Sequence, residues 1–128
     1  MSLVLRILVG VIGVLGLLIA AAIWAHPAEP LAKLGLETLG GLGNSTARAD
    51  IGGFFGAAGG LALTAAVRAE ARLLTAPLLL VVIALSGRVL TVVLDGYAPD
   101  VAQPMGVEAV LVAALAAGRR FIGPDSRA

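Results

Sequence analysis

No cysteine occurs anywhere in the 128 residues, and histidine occurs once. The first absence removes disulfide staples, thiol nucleophiles and thiolate metal sites. The second removes poly-histidine metal sites and leaves few routes to a histidine-based triad. Charge is also scarce: 13% of residues are Asp, Glu, Lys or Arg, about half the share of an average soluble chain. Nine basic against eight acidic side chains leave a net charge of +1. That is too little for a nucleic-acid binder or a polybasic membrane-surface segment. Nothing in the sequence asks for a metal or a cofactor.

What fills the chain instead is aliphatic. Apolar residues make up 59%, against roughly 45–50% in soluble proteins, and the mean hydropathy is +1.03. A chain this short cannot hide so much apolar surface in one water-soluble core. The expectation is a single integral membrane domain over residues 1–128.

A membrane-spanning helix needs about 20 mostly apolar residues. Four stretches qualify, over residues 3–25, 50–67, 73–94 and 101–120. Arg6 lies near enough to the end of the first to reach the interface. The first stretch resembles a cleaved signal peptide in its flanks, but its apolar run exceeds the roughly 7–15 residues of a signal core, so it is expected to remain. The fold class is therefore all-α, a four-helix transmembrane bundle.

Orientation follows from the basic residues. With the N-terminus inside, the cytoplasmic segments hold Arg6, Arg68, Arg72, Arg119, Arg120 and Arg127, and the outer loops hold Lys33 and Arg48. Glu29, Glu37, Asp50, Asp95 and Asp100 fall outside. Both termini are expected to be cytoplasmic, with Trp24 and Tyr97 at the outer boundary and Phe121 at the inner one. The basic set, eight Arg to one Lys, points to a GC-rich bacterial genome and hence to a bacterial inner membrane.

The first outer loop is expected to be either a short interfacial helix or a partly ordered connection. Pro30 can begin such a helix and Gly40–Gly41 can end it, with Leu31, Leu34 and Leu39 as its stripe and Lys33 and Glu37 one turn apart. Asn44, Ser45 and Thr46 read as caps of the second span. His26 is either a solvated cap or a titrating neighbour of the charged layer described next.

Ionisable residues within the spans are costly and mark sites. Arg88, Glu108 and Asp50 fall in one layer in the outer half, with Arg48 beside Asp50. Arg88, Thr91 and Asp95 share a helix face. A guanidinium needs acceptors, and Glu108 is the preferred partner of Arg88, then Asp50, then Asp95. The layer is either an inert lock of Arg88 and Glu108 between helices three and four, the floor of an outward-opening pocket, or a site of acid–base or ion-coupled chemistry. Gly52, Gly56 and Gly60, at four-residue intervals, make a groove for close helix contact, and Gly10, Gly13 and Gly16 offer a looser second face. The groove serves packing within the bundle or a homodimer seam.

The stretch NSTARADIGGFFGAAGG, Asn44 to Gly60, resembles an uncharacterised bacterial family of small four-helix membrane proteins similar to the DoxX-like group. In that likeness an apolar first helix is followed by Arg48, Ala49 and Asp50, the glycines Gly52 and Gly53, then Arg88 late in helix three and Glu108 early in helix four. The resemblance implies four helices and a shared polar layer, and it supplies no activity. More distant four-helix relatives, sterol isomerases and sigma-type receptors, hold hydrophobic ligands in the membrane. This chain lacks the helix-borne histidine that would carry over their chemistry.

Three functional classes remain. The first is binding of a membrane lipid or hydrophobic small molecule in an intramembrane pocket, with Arg88 anchoring its polar group and Glu108 and Asp50 orienting Arg88. The second is a structural or accessory subunit that meets itself or a larger membrane protein through the glycine faces. The third is an intramembrane enzyme or ion-coupled transporter.

Overall fold

Leucine, valine and isoleucine run without a proline from Leu3 until Pro27, and the first helix extends just as far. The computed structural model describes residues 2–122. Arg127, counted above with the cytoplasmic cations, lies outside the described residues. Helix α1 spans Ser2–Ala25. A turn at Pro27 leads into the short α2, Ala28–Lys33. Helix α3, Gly40–Thr46, passes through a π-helical segment, Ala47–Ile51, into α4, Gly52–Arg68. A 3₁₀ turn, Ala71–Leu74, precedes α5, Thr75–Asp95. Helix α6, Pro99–Phe121, follows.

Four of these helical stretches are long and apolar enough to cross a membrane: Ser2–Ala25, Gly40–Arg68, Ala71–Asp95 and Pro99–Phe121. The second is the departure from expectation. Gly40–Gly41 open a helix rather than end one, and Asn44, Ser45 and Thr46 lie inside it and cap nothing. The 29-residue run rises roughly 43 Å, longer than the hydrocarbon core of about 30 Å. Its first turns therefore project past the outer end of α1. The loop helix is α2 alone, and Glu37 lies beyond it.

Burial is inverted relative to a water-soluble bundle. The interior is rich in small residues, with Gly13, Ala20, Gly52, Gly59, Ala62, Ala65, Ala66, Ala114 and Gly118 buried beside a few larger ones such as Val9, Ile23, Leu74 and Leu115. The periphery is large: Leu3, Ile7, Leu15, Leu18, Ile83, Leu90 and Val110 are exposed. Lipid tails are as apolar as leucine, so nothing drives such side chains inward. Helices then associate by close backbone contact.

Helices α1 and α4 make that contact along their length, running antiparallel. Gly10 faces Ala66, Gly13 faces Leu63, Gly16 faces Gly59, Ala20 faces Gly56 and Trp24 faces Gly52. A Cβ on Gly13 would lie 2.5 Å from the Leu63 amide nitrogen. One on Gly59 would lie 2.7 Å from the Leu17 nitrogen and 2.8 Å from the Gly13 carbonyl oxygen. Only hydrogen fits at either place. Gly59, rather than Gly60, is the point of closest approach, because a Cβ on Gly60 would meet only a Leu17 methyl at 3.9 Å.

Side chains at both ends fasten the same pair. Near the start of α1 Arg6 donates from Nε to the Ala66 carbonyl at 2.7 Å and from Nη2 to the Val67 carbonyl at 3.0 Å. These are C-terminal carbonyls of α4, where a cation also meets the negative end of the helix dipole. Near the end of α1 the Trp24 indole donates to the Arg48 carbonyl at 3.0 Å, and Arg48 Nε donates to the Trp24 carbonyl at 2.8 Å. The π segment shifts the backbone where this exchange occurs, a common place for a local insertion in a helix.

Helix α6 packs on α1 and α5 on α4. The shared core is Val9, Ala62, Ala65, Ala66, Leu74, Val81, Leu115 and Ile122, all towards the inner ends of their helices. Beyond Val81 on α5 and before Ala114 on α6 no described residue is fully buried. Helices α5 and α6 are thus packed tightly at the end that holds Leu74 and Leu115 and more loosely towards Asp95 and Pro99.

The glycine contact predicts an asymmetric response to methyl groups. Gly59→Ala is expected to cost about 1–3 kcal/mol through overpacking and to lower the unfolding temperature in detergent. Gly53→Ala, with nothing within 4 Å of the new Cβ, is expected to leave it unchanged or raise it. Equal melting temperatures would sink the backbone-contact account.

Candidate functional site

Arg88 lies two helical turns outward from buried Val81, and Glu108 two turns outward from buried Leu115. Each therefore continues the core-facing stripe of its helix into the looser end of the α5–α6 pair. They meet there: Arg88 Nε donates to Glu108 Oε1 at 2.8 Å. The side chains are 33% and 15% exposed, so the pair is half-withdrawn from its surroundings. Glu108 Oε2 is buried with no hydrogen-bond partner, which carries the desolvation cost of an unmet acceptor. Pro104, one turn before Glu108, interrupts the hydrogen-bond ladder of α6 and loosens this stretch locally.

The rest of the expected cluster does not assemble around Arg88. Among the described residues Asp50 and Asp95 make no ion pair within 4.0 Å. Asp50 sits in the π segment alongside the last turn of α1, where Trp24 meets Arg48, and its side chain is exposed. Arg48 is turned to Trp24 instead. Thr91 bonds the Gly87 carbonyl at 3.1 Å within its own helix, and Asp95 is exposed at the end of α5. The polar layer is a pair, not a cluster. Gly52 and Gly56 face Trp24 and Ala20, so the glycine groove is filled by α1 of the same chain.

A separate hollow lies on the other flank of α1. Its volume is about 550 Å³, and it is lined by α1 from Leu15 to Ala25, by His26, by α2 and Leu34, and by Phe55 of α4. Roughly 300–1,000 Å³ is the usual range for small-molecule sites. The lower walls are Leu15, Leu18, Ile19 and Phe55, and the mouth carries His26, Glu29 and Lys33. The hollow exists because Pro27 turns the chain back and Leu31, 2% exposed, anchors α2. The lining positions of α1 span roughly 16 Å along the helix. Leu15 and Leu18 are exposed, so the hollow opens on the lipid-facing periphery.

Several features escaped the sequence reading. Arg6 caps α4, although its position near a helix end suggested only a reach to the interface. Trp24 and Arg48 exchange backbone bonds, and no local pattern marks a partnership between residues so far apart in sequence. The Pro27 and Pro30 pair bracketing a short turn was the available signal for the hollow. At the turn between α4 and α5 Glu70 sits between Arg68, 4.0 Å away, and Arg72, 3.2 Å away. Arg119 Nε donates to the Thr75 hydroxyl at 2.9 Å. Among the described residues no group of three His, Cys, Asp or Glu side chains is placed to hold a metal ion.

Among the described residues the fold is an all-helical bundle with four helices long and apolar enough to cross a membrane, an interhelical Arg88–Glu108 ion pair and an apolar hollow beside α1. No protein-family model, curated protein or solved structure matches the chain.

The ion pair makes its own prediction. Glu108→Leu leaves the Arg88 guanidinium without its acceptor and is expected to cost about 1–3 kcal/mol, held to that range because Arg88 is partly exposed. The double change Arg88→Leu with Glu108→Leu is expected to recover most of the loss. Denaturant unfolding in one detergent reads both. A double variant no better than the single would show that the two residues do not act as a pair.

Proposed function

We propose that this protein binds a lipid or hydrophobic small molecule within the outer half of a bacterial inner membrane. The observation that carries the reading is the hollow of about 550 Å³ between α1 and α2, aliphatic below and polar at its mouth. That is the distribution of an amphiphile, with a tail among Leu15, Leu18 and Ile19 and a head near His26, Glu29 and Lys33. The hollow opens where acyl chains already are, so a ligand arrives from the surrounding leaflet without crossing water. Burial of apolar surface contributes less here than in water, and polar contacts at the mouth set the selectivity.

Arg88 and Glu108 fit a supporting role in this reading. They hold the outer ends of α5 and α6 together where the apolar core has stopped. Arg88 remains the second anchor for a polar group, through the terminal nitrogens that Glu108 does not use. The likeness to the DoxX-like group is kept as a proposal about ancestry. The accessory-subunit alternative loses its main support, since the groove of Gly52 and Gly56 is occupied by α1.

Native mass spectrometry of protein released from a mild detergent tests the reading. The expected result is a discrete adduct that Ala22→Trp, which fills the hollow at an exposed position, removes while the fold persists. Loss of the adduct in Arg88→Leu but not in Ala22→Trp would move the site to the ion pair. A bare species would overturn the proposal.

Orientation is tested independently, since the chain has no native cysteine. With both termini cytoplasmic, Ser45→Cys is expected to react with a membrane-impermeant maleimide in intact cells and Glu70→Cys only after lysis. The reverse pattern would invert the topology and place the hollow in the inner leaflet.

A further inference from the structure

Glu29 and Lys33 are one helical turn apart on α2, and both line the mouth of the hollow. Opposite charges in this order are within reach of each other across the turn. Here neither makes an ion pair within 4.0 Å among the described residues, and both are exposed. The mouth therefore presents a separated cation and anion, about 5–6 Å apart at their Cβ atoms, directly above an apolar trough.

Resting on the lipid-binding reading above, we infer that the hollow selects a zwitterionic phospholipid with a primary ammonium head, of the phosphatidylethanolamine type. The chemistry is complementary group by group. The Lys33 ammonium offers three donors and no acceptor, which suits the phosphate. The Glu29 carboxylate only accepts, which suits a primary ammonium with N–H groups to give. A trimethylammonium head has no N–H, so it meets Glu29 by charge alone and loses the charge-assisted hydrogen bond. A phosphatidylglycerol head carries an anion and hydroxyls, so it satisfies Lys33 but leaves Glu29 facing no cation. One acyl chain then follows α1 downward past Ala22, Ile19 and Leu18 to Leu15, on a path of roughly 16 Å.

The test is competition in nanodiscs or detergent between phosphatidylethanolamine, phosphatidylcholine and phosphatidylglycerol of identical acyl chains, read by native mass spectrometry of the full chain. The wild type is expected to retain the ethanolamine lipid roughly two- to fivefold over each of the others, the scale of one solvent-rimmed charged contact. Glu29→Gln is expected to erase the preference over the choline lipid while binding persists. Lys33→Gln is expected to weaken all three. Both changes are at exposed positions, and the helical circular dichroism of each variant checks the fold. Retention without headgroup preference, or a preference for phosphatidylglycerol, would overturn the headgroup inference and leave the hollow as a lipid site. Retention that is undiminished in Ala22→Trp would overturn the hollow itself and the inference with it.

Discussion

The approach of α1 to α4 sets the geometry of the rest. At Gly13 and Gly59 the two backbones come so near that no side chain of either residue fits between them. In a bilayer this contact replaces the hydrophobic effect as the source of helix affinity, through dispersion between closely packed atoms. It also explains the two polar fasteners at its ends. Once the axes are this close, Arg6 reaches the free carbonyls of Ala66 and Val67 at one end, and Trp24 reaches Arg48 at the other. The α5–α6 hairpin is added to this pair through a core confined to the inner half, and its outer half is fastened by Arg88 and Glu108.

Where the physics is local, the sequence was readable. The unbroken aliphatic run of α1 and the seventeen residues of α4 ending at Arg68 announce themselves through length and composition. Arg88 and Glu108 were legible as partners because both sit inside otherwise apolar helices, where each needs the other. Asp50 and Arg48 misled for an instructive reason. Depth along the chain placed them in the same layer as Arg88, but depth says nothing about which side of a helix faces which neighbour. That rotation is set by Gly52, Gly56 and Gly59 turning towards α1. The helical run through Asn44, Ser45 and Thr46 was hidden by their preference for caps, which the contact of Trp24 with Arg48 and Gly52 overrides.

The polar groups of the outer half consequently fall into two places with different character. Between α5 and α6, Arg88 and Glu108 are bonded to each other and largely spent on holding two helices together. At α2, Glu29 and Lys33 make no ion pair within 4.0 Å among the described residues, and they stand beside a hollow that none of those residues fills. A charged residue in a membrane protein invites a functional reading by its cost. Here Arg88 and Glu108 are bonded to each other, and the exposed Glu29 and Lys33 stand at the mouth of the hollow. Charge availability, rather than charge depth, separates the two.

The inverted interior has a consequence for how such a chain can drift. In a water-soluble domain the large aliphatic core resists change and the polar surface varies. In this bundle leucine, isoleucine and valine on the lipid face are interchangeable, because the tails outside accept any of them. The residues with no room to grow are the alanines and glycines between helices. Two distant descendants of one ancestor would share few of their large residues and many of their small ones. Comparison that weights identities at leucine would see unrelated chains, whereas the spacing of Gly13, Ala20, Gly52, Gly59, Ala62, Ala66 and Gly118 would still record the common architecture.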